Sequence, residues 1–177
     1  MKEFNQAVPI GGRRKKKLSK LRPWAGLALP LLAILFQVYV PLYLGFLHYV
    51  EAPLLVTVYL AVARRSQAAG IFIGAGIGLV QDALSHQPIG IFGMVKTLAG
   101  YAAASLGVRL DTEHAAVRFA LGFFFFVAHQ SVYWAARRVL LGEAASLEPV
   151  QTVLAALLNG ALAVPLFYLF DRLRESA

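Results

Sequence analysis

One carboxylate lies inside a run of apolar residues and glycines. In GIFIGAGIGLVQDALSHQPIGIFG, residues 70 to 93, Gly70, Gly74 and Gly78 recur at every fourth position and Asp82 and His86 continue the spacing. All five therefore fall on or near one helical face. A carboxylate in a span costs about 2.5 to 3.5 kcal/mol at the centre, and less near an end where it reaches water. Ser85, His86, Gln87 and Pro88 form a polar turn in which Pro88 stops the helix, and Gly90 lets the chain start the next one. Asp82 is thus expected near a helix end, bonding backbone N–H groups or Ser85. Lys96, about two turns into the following helix, is the candidate counter-charge across this hairpin; its alternative is to snorkel to the interface. The glycines permit close backbone approach, either within the bundle or to a partner protein.

Two uncharged polar residues interrupt other apolar runs, Gln37 in ILFQVYV and Asn159 in LLNGALAVPLFYLF. Interhelical bonds of this kind average about 0.6 kcal/mol, too little to account for them by stability alone. With Asp82 they are expected to line a polar cavity or a partner-facing seam. The remaining reactive residue types do not form a catalytic pattern. His48, His86, His114 and His129 contain no pair spaced as in H-E-x-x-H, no phosphate loop surrounds Lys96 and Thr97, and Ala103 to Gly107 misses the nucleophile elbow at its first glycine. His129 with Gln130, Tyr133 and Trp134 reads as an aromatic belt with a satisfied histidine near the outer end of a helix. Phe123 to Phe126 face several directions and suit lipid contact and packing, and Asp111 with Glu113 is expected to cap the fifth helix. No catalysis, cofactor or metal is expected.

The elements that carry these residues are helices in lipid. Hydrophobic residues make up 59% of the chain and charged residues 15%, with a mean hydropathy of +0.64, which is the balance of an integral membrane protein. A spanning helix needs about 20 apolar residues. Candidates are Trp24 to Leu44, Ala52 to Ala63 (short unless it borrows Gly45 to Glu51), Ala68 to Leu84, Ile89 to Val108, Phe119 to Ala136 and Val150 to Phe170. The runs lack the alternation of membrane strands, so an all-α bundle of six transmembrane helices is predicted. With both termini cytoplasmic, every basic residue except Lys96, Arg137 and Arg138 lies on the cytoplasmic side, as positive charge retention requires. Glu51, Gln87 and Glu143 then fall in outer loops.

Residues 1–23 are expected to form a basic cytoplasmic tail and residues 24–174 the membrane domain. Residues 1 to 22 hold eight basic residues against one acid, Glu3, and so carry nearly all of the net +8. Such a cluster beside a first span is a topology signal attracted to anionic lipids. It lacks the interleaved aromatics of a single-strand binding surface, so no nucleic acid is expected. The first apolar run is too long for a cleavable signal peptide and no A-x-A site follows it. There is no cysteine, hence no disulfide framework.

The hairpin Gly74 to Gly90, a glycine-lined helix running into D-x-L-S, three further residues, Ile89 and Gly90, resembles the MreD family of rod-shape-determining proteins. Gln37, Pro53 at the start of APLLVTVYLAV, and Asn159-Gly160 followed by Pro165 are similar to that family in residue and position. The resemblance covers residues 24 to 174. It implies a non-enzymatic inner-membrane component of the bacterial cell-elongation machinery, associated with MreC and through it with MreB, RodA and its partner transpeptidase. It also implies a helix arrangement similar to the substrate-binding subunits of energy-coupling-factor vitamin transporters. A transporter subunit is therefore the alternative function, although Ala25, Ala28 and Ala33 do not give the Ala-x-x-x-Ala docking pattern of such subunits. The residues singled out for a partner contact or polar seam are Gln37, Gly74, Gly78, Asp82, Ser85, Gly90, Lys96, Asn159 and Gly160.

Overall fold

The computed structural model describes residues 22–85, 88, 90–143 and 148–174, and all its regular elements are helical. They are α1 (Pro23–Tyr43), a 3-10 turn (Gly45–Tyr49), α2 (Ala52–Arg64), α3 (Gln67–Leu84), α4 (Ile91–Gly107), α5 (Ala115–Leu141) and α6 (Pro149–Asp171). Residues 1–21 of the basic tail and the turn residues 86, 87 and 89 lie outside the described residues.

Local chemistry sets most of these limits. Pro53 and Pro149 sit in the first turns of α2 and α6, where a missing N–H costs nothing. The Ser66 hydroxyl accepts from Ala69 N–H at the start of α3. Gly142, at φ 66°, ends α5 in the left-handed conformation. One expected cap is corrected: α5 begins at Ala115 with His114 as its N-cap residue and no side-chain cap. Asp111 Oδ1 instead accepts from Glu113 N–H at 3.2 Å, closing a turn ahead of the helix.

The six expected helices are present, but they are not six equal spans. Four are long and apolar enough to cross a membrane: Trp24–Tyr43, Gln67–Leu84, Ala115–Leu141 and Pro149–Asp171. Helix α4 has 17 residues and contains Lys96. Helix α2 has only 13, about 20 Å at 1.5 Å per residue, against a hydrocarbon core of about 30 Å. It is also the most enclosed element, with every residue from Pro53 to Val62 buried. Helices α1, α3, α4, α5 and α6 all touch it. Gly45 to Glu51 do not extend α2 as a helix; they form the 3-10 turn and a short extended link.

Arg22 N–H donates to Leu173 C=O at 3.5 Å, which brings the start of α1 and the end of α6 to one end of the bundle, here the terminal end. The α3–α4 hairpin is the most extensive helix pair, followed by α5–α6. The face bearing Gly70, Gly74 and Gly78 is turned onto α4. A Cβ at Gly74 would lie 2.0 Å from Lys96 C=O, and one at Gly78 2.3 Å from Phe92 C=O. Backbone meets backbone there, with no flexible side chain to yield.

Gly74→Leu combined with Gly78→Leu is accordingly expected to abolish α3–α4 packing, seen as loss of the protein from the membrane fraction by blot. A normal level of well-folded double variant would contradict this close approach.

Candidate functional site

The N-terminus of α2 opens deep within the bundle. Its neighbours there are Asn159, the eleventh residue of the 23-residue α6, and Gln37, the fifteenth of the 21-residue α1. A helix start leaves N–H groups without intrahelical partners, and in a water-poor bundle each must be satisfied by protein. Asn159 Oδ1 accepts from Glu51 N–H at 2.9 Å, and Gln37 Oε1 from Ala52 N–H at 3.2 Å. Pro53 has no N–H, and Leu54 and Leu55 donate to Glu51 C=O at 3.1 and 3.2 Å. The Asn159 amide donates in turn to Tyr49 C=O at 2.7 Å and Ala155 C=O at 2.8 Å. Gln37 and Asn159 thus close a broken backbone, which explains two polar residues whose average bond energy did not. The adjoining Gly160 gives α5 room, since a Cβ there would lie 3.0 Å from Phe119 C=O.

Beside this helix start is a buried ionic cluster. Lys96 Nζ lies 2.8 Å from Glu51 Oε1 and 3.3 Å from His129 Nε2, and the Phe92 ring centroid is 4.5 Å away. Gln81 Nε2 donates to the same Glu51 oxygen at 3.1 Å. With Lys96 as the donor, His129 Nε2 accepts and the ring proton resides on Nδ1. That Nδ1 and Gln81 Oε1 are buried without partners among the described residues. The rings of Phe92, His129 and Tyr133 stack, with Phe92 to Tyr133 at 4.8 Å. The Lys96 side chain is 0% exposed and that of Glu51 13%, so the carboxylate is the wetter partner.

Asp82 does something else. Its Oδ2 accepts from Gly90 N–H at 2.9 Å and Gly93 N–H at 3.1 Å, and its Oδ1 from Phe92 N–H at 3.1 Å. These are the free donors at the start of α4, so a carboxylate on α3 caps the next helix, where negative charge is favoured. Gly90 adopts φ +107°, which a side chain would strain. Ser85 is the C-cap residue of α3, its N–H donating to Gln81 C=O at 2.9 Å. Of the alternatives read from the sequence, the backbone bonds are observed, and Lys96 takes Glu51 as its ion-pair partner rather than Asp82.

Sequence reasoning missed Glu51, Gln81 and His129. Glu51 was expected in an accessible outer loop and His129 in an aromatic belt; both are drawn into the cluster with Lys96. The signal was available in the shortness of the second apolar run, since a helix too short to cross must start within the bundle. Of the belt residues, Tyr133 lies within 3.4 Å of Arg137 Nη1, and Arg137 Nε donates to Glu143 at 2.7 Å. Among the described residues no group of three or more His, Asp or Glu side chains converges as metal ligands.

One family model, rod shape-determining protein MreD, matches residues 19–175, a range that includes the Asp82 hairpin and the polar residues that close α2. The chain belongs to the MreD family. No curated protein and no solved structure matches it. Membership makes it a membrane protein of the rod-shape system, and the helices apolar enough to span agree with that. In this MreD-family chain the polar residues of the spans are chiefly occupied with one another and with exposed helix ends.

Two sets of variants test the bonding. Asp82→Ala leaves three N–H groups at the start of α4 open and is expected to lower stability by several kcal/mol, whereas Asp82→Asn keeps an acceptor and costs roughly 1 to 2 kcal/mol; thermal unfolding in detergent gives the order, and equal losses would refute the capping role. Glu51→Gln strands a fully buried ammonium at a cost of about 3 to 5 kcal/mol. Lys96→Met leaves a carboxylate that reaches water and should cost less. The double variant should be milder than Glu51→Gln alone.

Proposed function

We propose that the protein is a non-catalytic scaffold of the bacterial cell-elongation complex in the inner membrane. It binds MreC directly and, through that complex, RodA, its partner transpeptidase and MreB, so that lateral peptidoglycan synthesis is coupled to rod shape. The observation that carries this reading is the family match over residues 19–175. The internal use of several polar groups supports it: Asp82 caps α4 and Glu51 pairs with Lys96, which suits a rigid frame. Both termini are placed in the cytoplasm, with residues 1–23 as a basic tail against anionic lipids and residues 24–174 in the membrane. The distribution of lysine and arginine supports that orientation. Arg137 and Arg138 are the one outer basic pair that opposes it.

Within this reading Gln37, Asp82, Ser85, Gly90, Lys96 and Asn159 act on partners indirectly, by fixing where the lipid-facing surfaces lie, and Gly74, Gly78 and Gly160 do so through close helix contacts. A specific observation keeps the transporter alternative in view. A helix beginning in mid-bundle beside charged groups is how transporters build substrate sites. One experiment separates the two. Detergent purification with tagged MreC from the same genome is expected to retain the chain in stoichiometric complex, and native mass spectrometry of the isolated chain should show no tightly held metabolite. No MreC retention together with a stoichiometric small ligand would overturn the scaffold reading in favour of transport.

A further inference from the structure

The terminal end of the bundle holds a second ionic cluster, far from the start of α2, that helix packing does not use up. Arg118, the fourth residue of α5, has a side chain only 4% exposed. Its Nε donates to Thr112 C=O at 2.9 Å and its Nη2 to Asp171 at 2.5 Å. Asp171, the last residue of α6, is shared: Arg174 Nη1 lies 3.3 Å from it and the Tyr59 hydroxyl donates to it at 3.0 Å. Two guanidinium groups and a phenol therefore draw on one carboxylate.

Two donors remain over. Arg118 Nη1 and Arg174 Nε are buried and have no acceptor among the described residues. Helix polarity makes the arrangement still less favourable by itself, because Arg118 stands at the positive end of α5 and Asp171 at the negative end of α6. What the cluster lacks is an anion with several acceptor oxygens, the group that guanidinium forks match best. The Tyr168 ring lies 3.9 Å over the Arg118 guanidinium, and its hydroxyl reaches Glu113 C=O only at 3.5 Å. It is a half-exposed cover held by one long bond.

We propose that Arg118 and Arg174 form a phosphate-binding site, occupied by the headgroup phosphate of an anionic phospholipid. The place of the site selects a lipid: it lies at the end of the spans, where headgroups lie. Arg22, the last basic residue ahead of α1, lies beside it, its N–H bonded to Leu173 C=O. Clustered bases beside a span draw anionic lipid to the surface without fixing its pose; the two free N–H donors supply a fixed seat. The proposal does not depend on which proteins the chain binds.

The test is native mass spectrometry of the full chain in detergent, titrated with phosphatidylglycerol or phosphatidylcholine. Wild type is expected to retain phosphatidylglycerol and to bind phosphatidylcholine at least about tenfold more weakly. Arg174→Lys keeps the charge but loses the Nε donor, and should weaken phosphatidylglycerol binding roughly tenfold. The Arg118–Asp171 pair remains in that variant, and an unchanged unfolding temperature without lipid verifies the fold. Arg172→Gln removes an exposed charge and should weaken binding by no more than about twofold. Equal affinity for both lipids, or equal weakening by Arg174→Lys and Arg172→Gln, would overturn the site. Displacement of the lipid by millimolar inorganic phosphate would support the same site with free phosphate as its occupant; resistance to displacement supports the headgroup.

Discussion

A peptide N–H without a partner in the middle of a lipid-embedded bundle is the constraint on which this architecture depends. Helix α2 starts there, and the bundle places the Asn159 and Gln37 side chains at its open donors, with Pro53 where no donor exists. Once these are closed, the rest of α2 can be largely apolar and surrounded by other helices. The same requirement recurs two helices later, where Asp82 closes the start of α4. In both places a side chain from another helix does the work usually left to a residue just ahead of the helix. That ties local structure to tertiary packing, because neither helix can begin properly unless its neighbour is in place.

The ion pair of Glu51 with Lys96 belongs to this logic. A buried pair contributes little net stability compared with apolar residues of the same volume, yet removing one partner is severe. Its role is therefore geometric. Lys96 reaches from α4 to the residue that precedes α2, and His129 and Phe92 fix its direction from α5 and α4. The bundle can then have only one depth at which α2 starts.

Much of the fold was legible because membrane helices announce themselves by length and apolarity, and the glycine face of α3 by its period of four. The Asp82 hairpin was legible because a turn leaves chemical marks in order: a carboxylate, a proline, a glycine able to take positive φ. The site was less legible. Glu51 next to Pro53 looked like loop chemistry, since nothing local distinguishes an acid at the surface from one at the end of a helix that starts in mid-bundle. His129 stood among aromatics that fit an interfacial belt equally well. Both are placed by contacts between residues distant in sequence, which one-dimensional spacing does not encode. The pairing of Asp82 with Lys96 was the natural guess, being local; the carboxylate that won lies 45 positions from the lysine.

The bond from Glu51 N–H to Asn159 joins residues 108 positions apart. During synthesis α2, the innermost helix, is therefore made well before α6, which carries the group that seals it. Until α6 is inserted, the core contains a half-closed helix end, and a nascent chain lacking α6 presents a polar defect to the membrane. Closure of the core therefore waits for α6, however early α2 itself is made.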